Sequence, residues 1–129
     1  MQIFQKEIVV SDSDLDQLNH VNNVRYVQWV QDIAEEHWLK SASTSILNNF
    51  YWVLIKHTID YKGQAFLGDT ILIKTFVVSS EGVSSVRKVE MYHQKTNKLI
   101  ISSETKWCLI DAKTHRPTRI TEGIATLFD

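Results

Sequence analysis

The hydrophobic pattern first changes period near residue 22. Before that point Ile3, Phe4, Ile8, Val9 and Val10 alternate loosely within residues 2–10 and predict a strand, which ends at the polar cluster Ser11 to Asp16. The cluster reads as a loop. From about Asn22, Tyr26, Val27, Val30, Ile33, Ala34 and Trp38 recur at spacings of three and four, while Arg25, Gln28, Asp32, Glu35 and Glu36 fall on the other side. This is the stripe of an amphipathic helix. Asn22 or Asn23 suits its N-cap, because an asparagine side-chain oxygen accepts a bond from an amide of the first turn that has no partner within the helix. A helix of about 17 residues is roughly 25 Å long.

After a polar stretch from Ser41 to Asn49 the pattern is that of strands: Tyr51 to Tyr61, Thr70 to Ser79, Val83 to His93 and Leu99 to Asp111. The gaps hold Gly63 and Gly68, Glu81-Gly82 and Thr96-Asn97, which is turn chemistry, so neighbouring strands are expected to pair antiparallel. Beyond Pro117, the chain either adds a short strand or forms a C-terminal helix near Thr121 to Leu127. The expected architecture is α+β, one long central helix wrapped by a curved antiparallel sheet of about five strands. In the third strand Ile71, Ile73 and Val77 lie on one side and Leu72, Phe76 and Val78 on the other. Both sheet faces are therefore expected to be partly covered. One helix covers one face, so self-association is expected, with an edge strand available to pair across a two-fold axis.

Composition narrows the class. A length of 129 residues, with 43% hydrophobic and 22% charged residues, fits one soluble globular domain spanning 1–129. The net charge of −1 and the absence of a long Lys/Arg run argue against nucleic acid as a partner. The single cysteine, Cys108, permits no intrachain disulfide and no cysteine-clustered zinc site, which fits a reducing cytosol. The N-terminal residues lack the pattern of a signal peptide, and no stretch approaches the roughly 20 apolar residues that span a bilayer. The expectation is a cytoplasmic protein with no membrane partner.

Candidate chemistry concentrates between Asp12 and Val30, where three carboxylates, a histidine and two asparagines precede the helix. The first-turn amides of a helix carry partial positive charge and suit an oxygen that becomes anionic during reaction. Asp16, a few residues upstream, completes a minimal acyl-transfer site, as general base on a water or as nucleophile. Aspartates and asparagines at such a position also serve as caps and turn formers, and a lone loop histidine such as His20 is often only a hydrogen-bonding group. Asp12, Asp14, Asp16 and His20 imitate a metal site, but the glycine and final glutamate of a calcium loop are missing and no histidine pair has zinc spacing. Neither metal nor cofactor is expected.

The run Asp14-Leu15-Asp16, His20-Val21-Asn22-Asn23, then Tyr26 and Trp29, resembles the signature of hot-dog acyl thioesterases of the 4-hydroxybenzoyl-CoA thioesterase type. As DLDQLNHVNNVRYVQWV it is especially similar to the corresponding stretch of acyl-acyl-carrier-protein thioesterases. Gly68-Asp69 before a strand and the segment Trp107 to Ile120 also occupy the family's places. The resemblance implies a hot-dog fold, hydrolysis of an acyl-CoA or an acyl-carrier-protein thioester, and a homodimer or homotetramer whose active site is shared between subunits. It implies a catalytic carboxylate at Asp16, an oxyanion-holding backbone amide at Asn23 and a supporting His20, with Asn22 and Tyr26 assigned to substrate contact. The carrier-protein branch also uses an asparagine two positions before the histidine, together with a cysteine. Leu18 stands at that position here, so Asp16 is favoured over an Asn-His-Cys arrangement. A non-catalytic ligand-binding protein and a dehydratase are the alternatives on the same fold.

Overall fold

The computed structural model describes residues 1–129. Strand β1 (Phe4–Val9) leads through a single 3-10 turn, Asp12–Asp14, into helix α1 (Asn23–Ser41), followed by a short helix α2 (Thr44–Asn49). The long strands β2 (Phe50–Tyr61), β3 (Thr70–Glu81), β4 (Ser84–His93) and β5 (Lys98–Asp111) come next. A two-residue β6 (Arg116–Pro117), helix α3 (Glu122–Ala125) and a last 3-10 turn close the chain. Beyond Pro117 the helix is realised, within the expected Thr121 to Leu127, while the short strand ends at Pro117 itself.

Asn22 fixes where α1 begins. Its backbone is extended, and its side-chain oxygen accepts the Val24 amide at 3.0 Å. The buried face of the helix carries Tyr26, Trp29, Val30, Ile33, Ala34, His37 and Trp38, so the stripe read from hydropathy also includes Trp29 and a histidine. At the far end Ala42 turns extended, and Ser43 caps α2 by accepting the Ile46 amide. Helix α2 lies inside the stretch read as polar; six residues are too few to display a helical period.

All strand pairs are antiparallel, in the order β1-β3-β4-β5-β2, with β6 added to β5. The β3–β4 and β4–β5 neighbours are hairpins, as their turn residues predict. β2 and β3, separated by the glycine-marked gap, do not pair. β2 instead joins β5, with Val53 opposite Cys108, and stands at the sheet edge. The intervening residues are held elsewhere: the Lys62 and Gly63 amides both donate to the Ile100 carbonyl, and the Ala65 carbonyl accepts the Val21 amide. Gly68, with φ 82°, turns back so that its amide reaches the Val10 carbonyl.

The core lies between α1 and the facing side of the sheet, in two clusters. One gathers Tyr26, Trp29, Val30 and Ile33 of the helix with Ile71, Ile73, Val89, Met91 and Ile101 of the strands. The other gathers Trp38, Leu109, Ile124 and Phe128. Between them the sheet presents polar side chains inward: Thr75 on β3, Ser85 and Arg87 on β4, and Ser103 and Thr105 on β5, all buried. On the outer side of β3, Leu72 and Phe76 are half-buried and Val78 is exposed.

Candidate active site

The loop ahead of α1 is knitted by short-range bonds that sort its three carboxylates into different roles. Asp14 is buried, and its carboxylate accepts the Ser11 amide at 2.9 Å and the Arg25 guanidinium at 2.8 Å. Burial pushes this carboxyl up, but the Ser11 bonds and the Arg25 charge outweigh it and hold the group below its ordinary value. Asp14 therefore anchors the loop to the helix. Asp12 is exposed in the 3-10 turn.

Asp16 is half-buried. Its Oδ1 accepts the amides of Leu18 at 2.9 Å and His20 at 3.1 Å, its own amide donates to the His20 carbonyl, and Asn19 adopts a left-handed φ of 62° to close the turn. The carboxylate is thus a turn former whose second oxygen, Oδ2, has no partner in the chain. The His20 ring makes no hydrogen bond and stands edge-on to Phe66, with ring centroids 5.3 Å apart.

At the helix start each nearby amide but one is occupied. The Asn22 amide donates to the Asp14 carbonyl, Val24 to the Asn22 side chain and Arg25 to the Asn22 carbonyl. The Asn23 amide has no acceptor within the chain. It sits where the helix dipole is most positive.

Asp16, His20, Asn22, Asn23 and Tyr26 line one cleft of about 630 Å3, together with Leu18, Val21 and residues 61–64. All five residues singled out in the sequence are therefore brought together. The opposite wall, Tyr61, Lys62, Gly63 and Gln64, was missed, because the only local signal there is the turn-forming Gly63. The Gly63 position is close-packed: a Cβ there would lie 3.0 Å from a methyl of Ile100. The Tyr26 ring packs edge-on to Trp29, and its hydroxyl is buried without a hydrogen-bond partner. Burial and the nearby Asp69 charge push that phenol up to about 12 despite the adjoining Ala65 backbone, so it keeps its proton. Asn22 spends its side-chain oxygen on the cap.

Cys108, weighed in the sequence, lies apart from this cleft, buried on β5 opposite Ser84 and Val53. Arg87 is also apart from it, buried on the inner face of β4. No three His, Cys, Asp or Glu side chains cluster as a metal site, and no helix is long and apolar enough to cross a membrane.

Comparison with known proteins adds family and fold. The model of the acyl-ACP thioesterase N-terminal domain matches residues 1–128. The long-chain acyl-CoA thioesterase FadM of Escherichia coli is 24% identical over 114 residues, covering 87% of this chain and 86% of that protein. Among solved structures, a 1,4-dihydroxy-2-naphthoyl-CoA thioesterase from Synechocystis superposes with a TM-score of 0.84 at 17% identity, over 98% of this chain and 95% of that one. The 12:0-ACP thioesterase from Umbellularia californica also gives a TM-score of 0.84, at 13% identity, over 98% of this chain and 51% of that longer one. These structures share the hot-dog architecture of one helix against an antiparallel sheet.

Proposed function

Because the chain belongs to the acyl-ACP thioesterase family, a family of thioester hydrolases, we propose that its own substrate is an acyl-CoA and that Asp16 and the Asn23 backbone amide carry the reaction. The observation that carries this reading is the unpaired Asn23 amide at the start of α1, lining the same cleft as a carboxylate with one free oxygen.

In this reading the thioester carbonyl oxygen takes the Asn23 N–H, whose bond strengthens as the oxygen becomes anionic in the tetrahedral intermediate. Asp16 Oδ1 is held by two amides, which leaves Oδ2 to draw a proton from the attacking water as the water oxygen bonds to the carbonyl carbon. Direct attack by Oδ2 on that carbon is the alternative route, with an acyl-enzyme anhydride that water then hydrolyses. Either way the C–S bond breaks and the thiolate leaves. The His20 ring, free of partners in the chain, supplies that sulfur with a proton. Asn22 acts through the helix cap, and Tyr26 forms the cleft wall with its ring rather than with its hydroxyl.

Coenzyme A is favoured over a carrier protein by the FadM relative, named for acyl-CoA hydrolysis and matched over most of both chains. Lys62 at the cleft is a basic group suited to a phosphate. A homodimer is favoured over a monomer because β2 offers an unpaired edge bearing exposed Tyr51, Val53 and Ile55. The substrate test is thiol release from acyl-CoAs and from acyl-carrier-protein thioesters of the same chain length. Faster turnover of the CoA series is expected; hydrolysis of the carrier-protein series alone would reassign the substrate.

A further inference from the structure

The cleft wall opposite the start of α1 runs on into the crossover that ends at Asp69, and this segment carries an exposed aromatic ring. Phe66 is 49% exposed. Its ring meets His20 edge-on, with centroids 5.3 Å apart and an interplanar angle of 85°. The His20 ring makes no hydrogen bond in the chain, so no polar contact fixes its rotation. What it packs on decides where its nitrogens point, and the ring it packs on is Phe66.

Asp69 in turn holds Phe66. Its Oδ2 accepts the Phe66 amide at 2.9 Å, and its own amide donates to the Phe66 carbonyl at 3.0 Å, so the turn from 66 to 69 is closed from both ends. The Asp69 carbonyl accepts the Val10 amide at 2.9 Å, and the Gly68 amide donates to the Val10 carbonyl at 3.0 Å, which ties the turn to the end of β1. A third tie runs to β4. His93 Nε2 lies 3.4 Å from the same Oδ2 that takes the Phe66 amide. His93 Nδ1 is buried without a partner, so Asp69 is the one polar contact of that ring in the chain. A single carboxylate oxygen thus joins the last residue of β4 to the backbone of Phe66.

We infer that Asp69 and His93 are positioning residues for His20: they fix the turn that carries Phe66, and the Phe66 ring holds the imidazole toward the departing sulfur. The inference rests on the reading of His20 as the proton donor to that sulfur. A donor works only with its nitrogen within hydrogen-bond reach of the accepting atom, and a misplacement of about 1 Å costs up to about 100-fold in rate. An alkanethiolate such as that of coenzyme A is a strong base and takes a proton as the C–S bond breaks. An arenethiolate is a much weaker base and leaves without one. Asp69 and His93 therefore matter for alkyl thioesters and not for aryl ones, whereas damage to the fold or to the Asp16 turn slows both.

The test uses the full chain with decanoyl-CoA and with the S-phenyl thioester of decanoate. Asp69→Asn, His93→Leu and Phe66→Leu are each expected to lower kcat for decanoyl-CoA by about tenfold and to leave the phenyl thioester within about twofold of the parent. In a His20→Gln background, Asp69→Asn is expected to cost nothing further, as for a residue that acts through another. A second measurement needs no turnover: the ring-proton resonances of His20 at fixed pH should move in Asp69→Asn and in Phe66→Leu, while those of His115, across the molecule beside Tyr51, stay in place. Unmoved His20 resonances, equal losses on the two thioesters, or losses that add in the double variant would overturn the proposal. Equal decanoyl-CoA turnover by the parent and by His20→Gln would overturn the proton-donor reading and with it the catalytic half of the proposal; the resonances would still report whether Asp69 places the ring.

Discussion

Side chains that look alike in the sequence have separate tasks in the loop before α1. Asp14 and Asp16 are two positions apart, yet one is tied to Arg25 and the other keeps an oxygen free. The same division applies to Asn22 and Asn23. Asn22→Ala removes the cap on Val24 and should cost about 1 kcal/mol of stability, seen as a lower denaturant midpoint. Asn23→Ala leaves the backbone amide in place and should keep turnover within a few-fold of the parent, because the proposed oxyanion donor is main chain. His37 sets a pH dependence with a definite sign. Burial and the Arg87 and Lys40 charges lower its folded pKa to about 4, below the ordinary 6.5, so the unfolded chain takes up the proton first. The stability from burying neutral His37 is therefore complete above pH 6.5 and lost as pH falls from 6.5 toward 4. Melting temperatures across this range should decline less steeply in His37→Gln than in the parent.

The elements show what hydropathy reads well and where it stops. Helix α1 was legible because its stripe repeats over five turns, and four strands were legible from period and turn residues. The β3–β4 and β4–β5 pairings followed from their turns, but the partner of β2 did not. Gly63 and Gly68 mark turns truthfully, but whether a turn closes a hairpin depends on who takes the backbone bonds, and here Ile100, Val21 and Val10 take them. The far wall of the cleft escaped for the same reason, since only the crossover brings Tyr61 to Gln64 beside the helix start. Edge position gives β2 its consequence: Val53 and Ile55 are apolar and exposed on a strand with one side unpaired. Val53→Lys is expected to convert a dimer to a monomer by light scattering at micromolar concentration, with the melting transition of the isolated fold little changed. A parent that is itself monomeric would remove the shared-site arrangement.

Across the whole molecule, helix α1 packs on two separate apolar clusters, a large one under its first turns and a small one near its end. The large apolar cluster stands beneath the first turns of α1 and keeps the Asp16 loop in register with Asn23. A belt of buried polar groups, with Arg87 at its centre, separates it from the smaller cluster under Trp38. The belt was not visible in the sequence, because an arginine in an alternating strand looks like a solvated one until its face is known. Ile73 is fully buried in the large cluster, and Ile73→Ala should cost about 2–5 kcal/mol, read from urea unfolding. The proposed reaction depends on the charge of Asp16, and the direct measurement is thiol release from a panel of acyl-CoAs by the parent and by Asp16→Asn, which keeps the shape of the side chain and removes its charge. A loss of about 100-fold or more in kcat in a folded variant is predicted; equal turnover by the two proteins would contradict it.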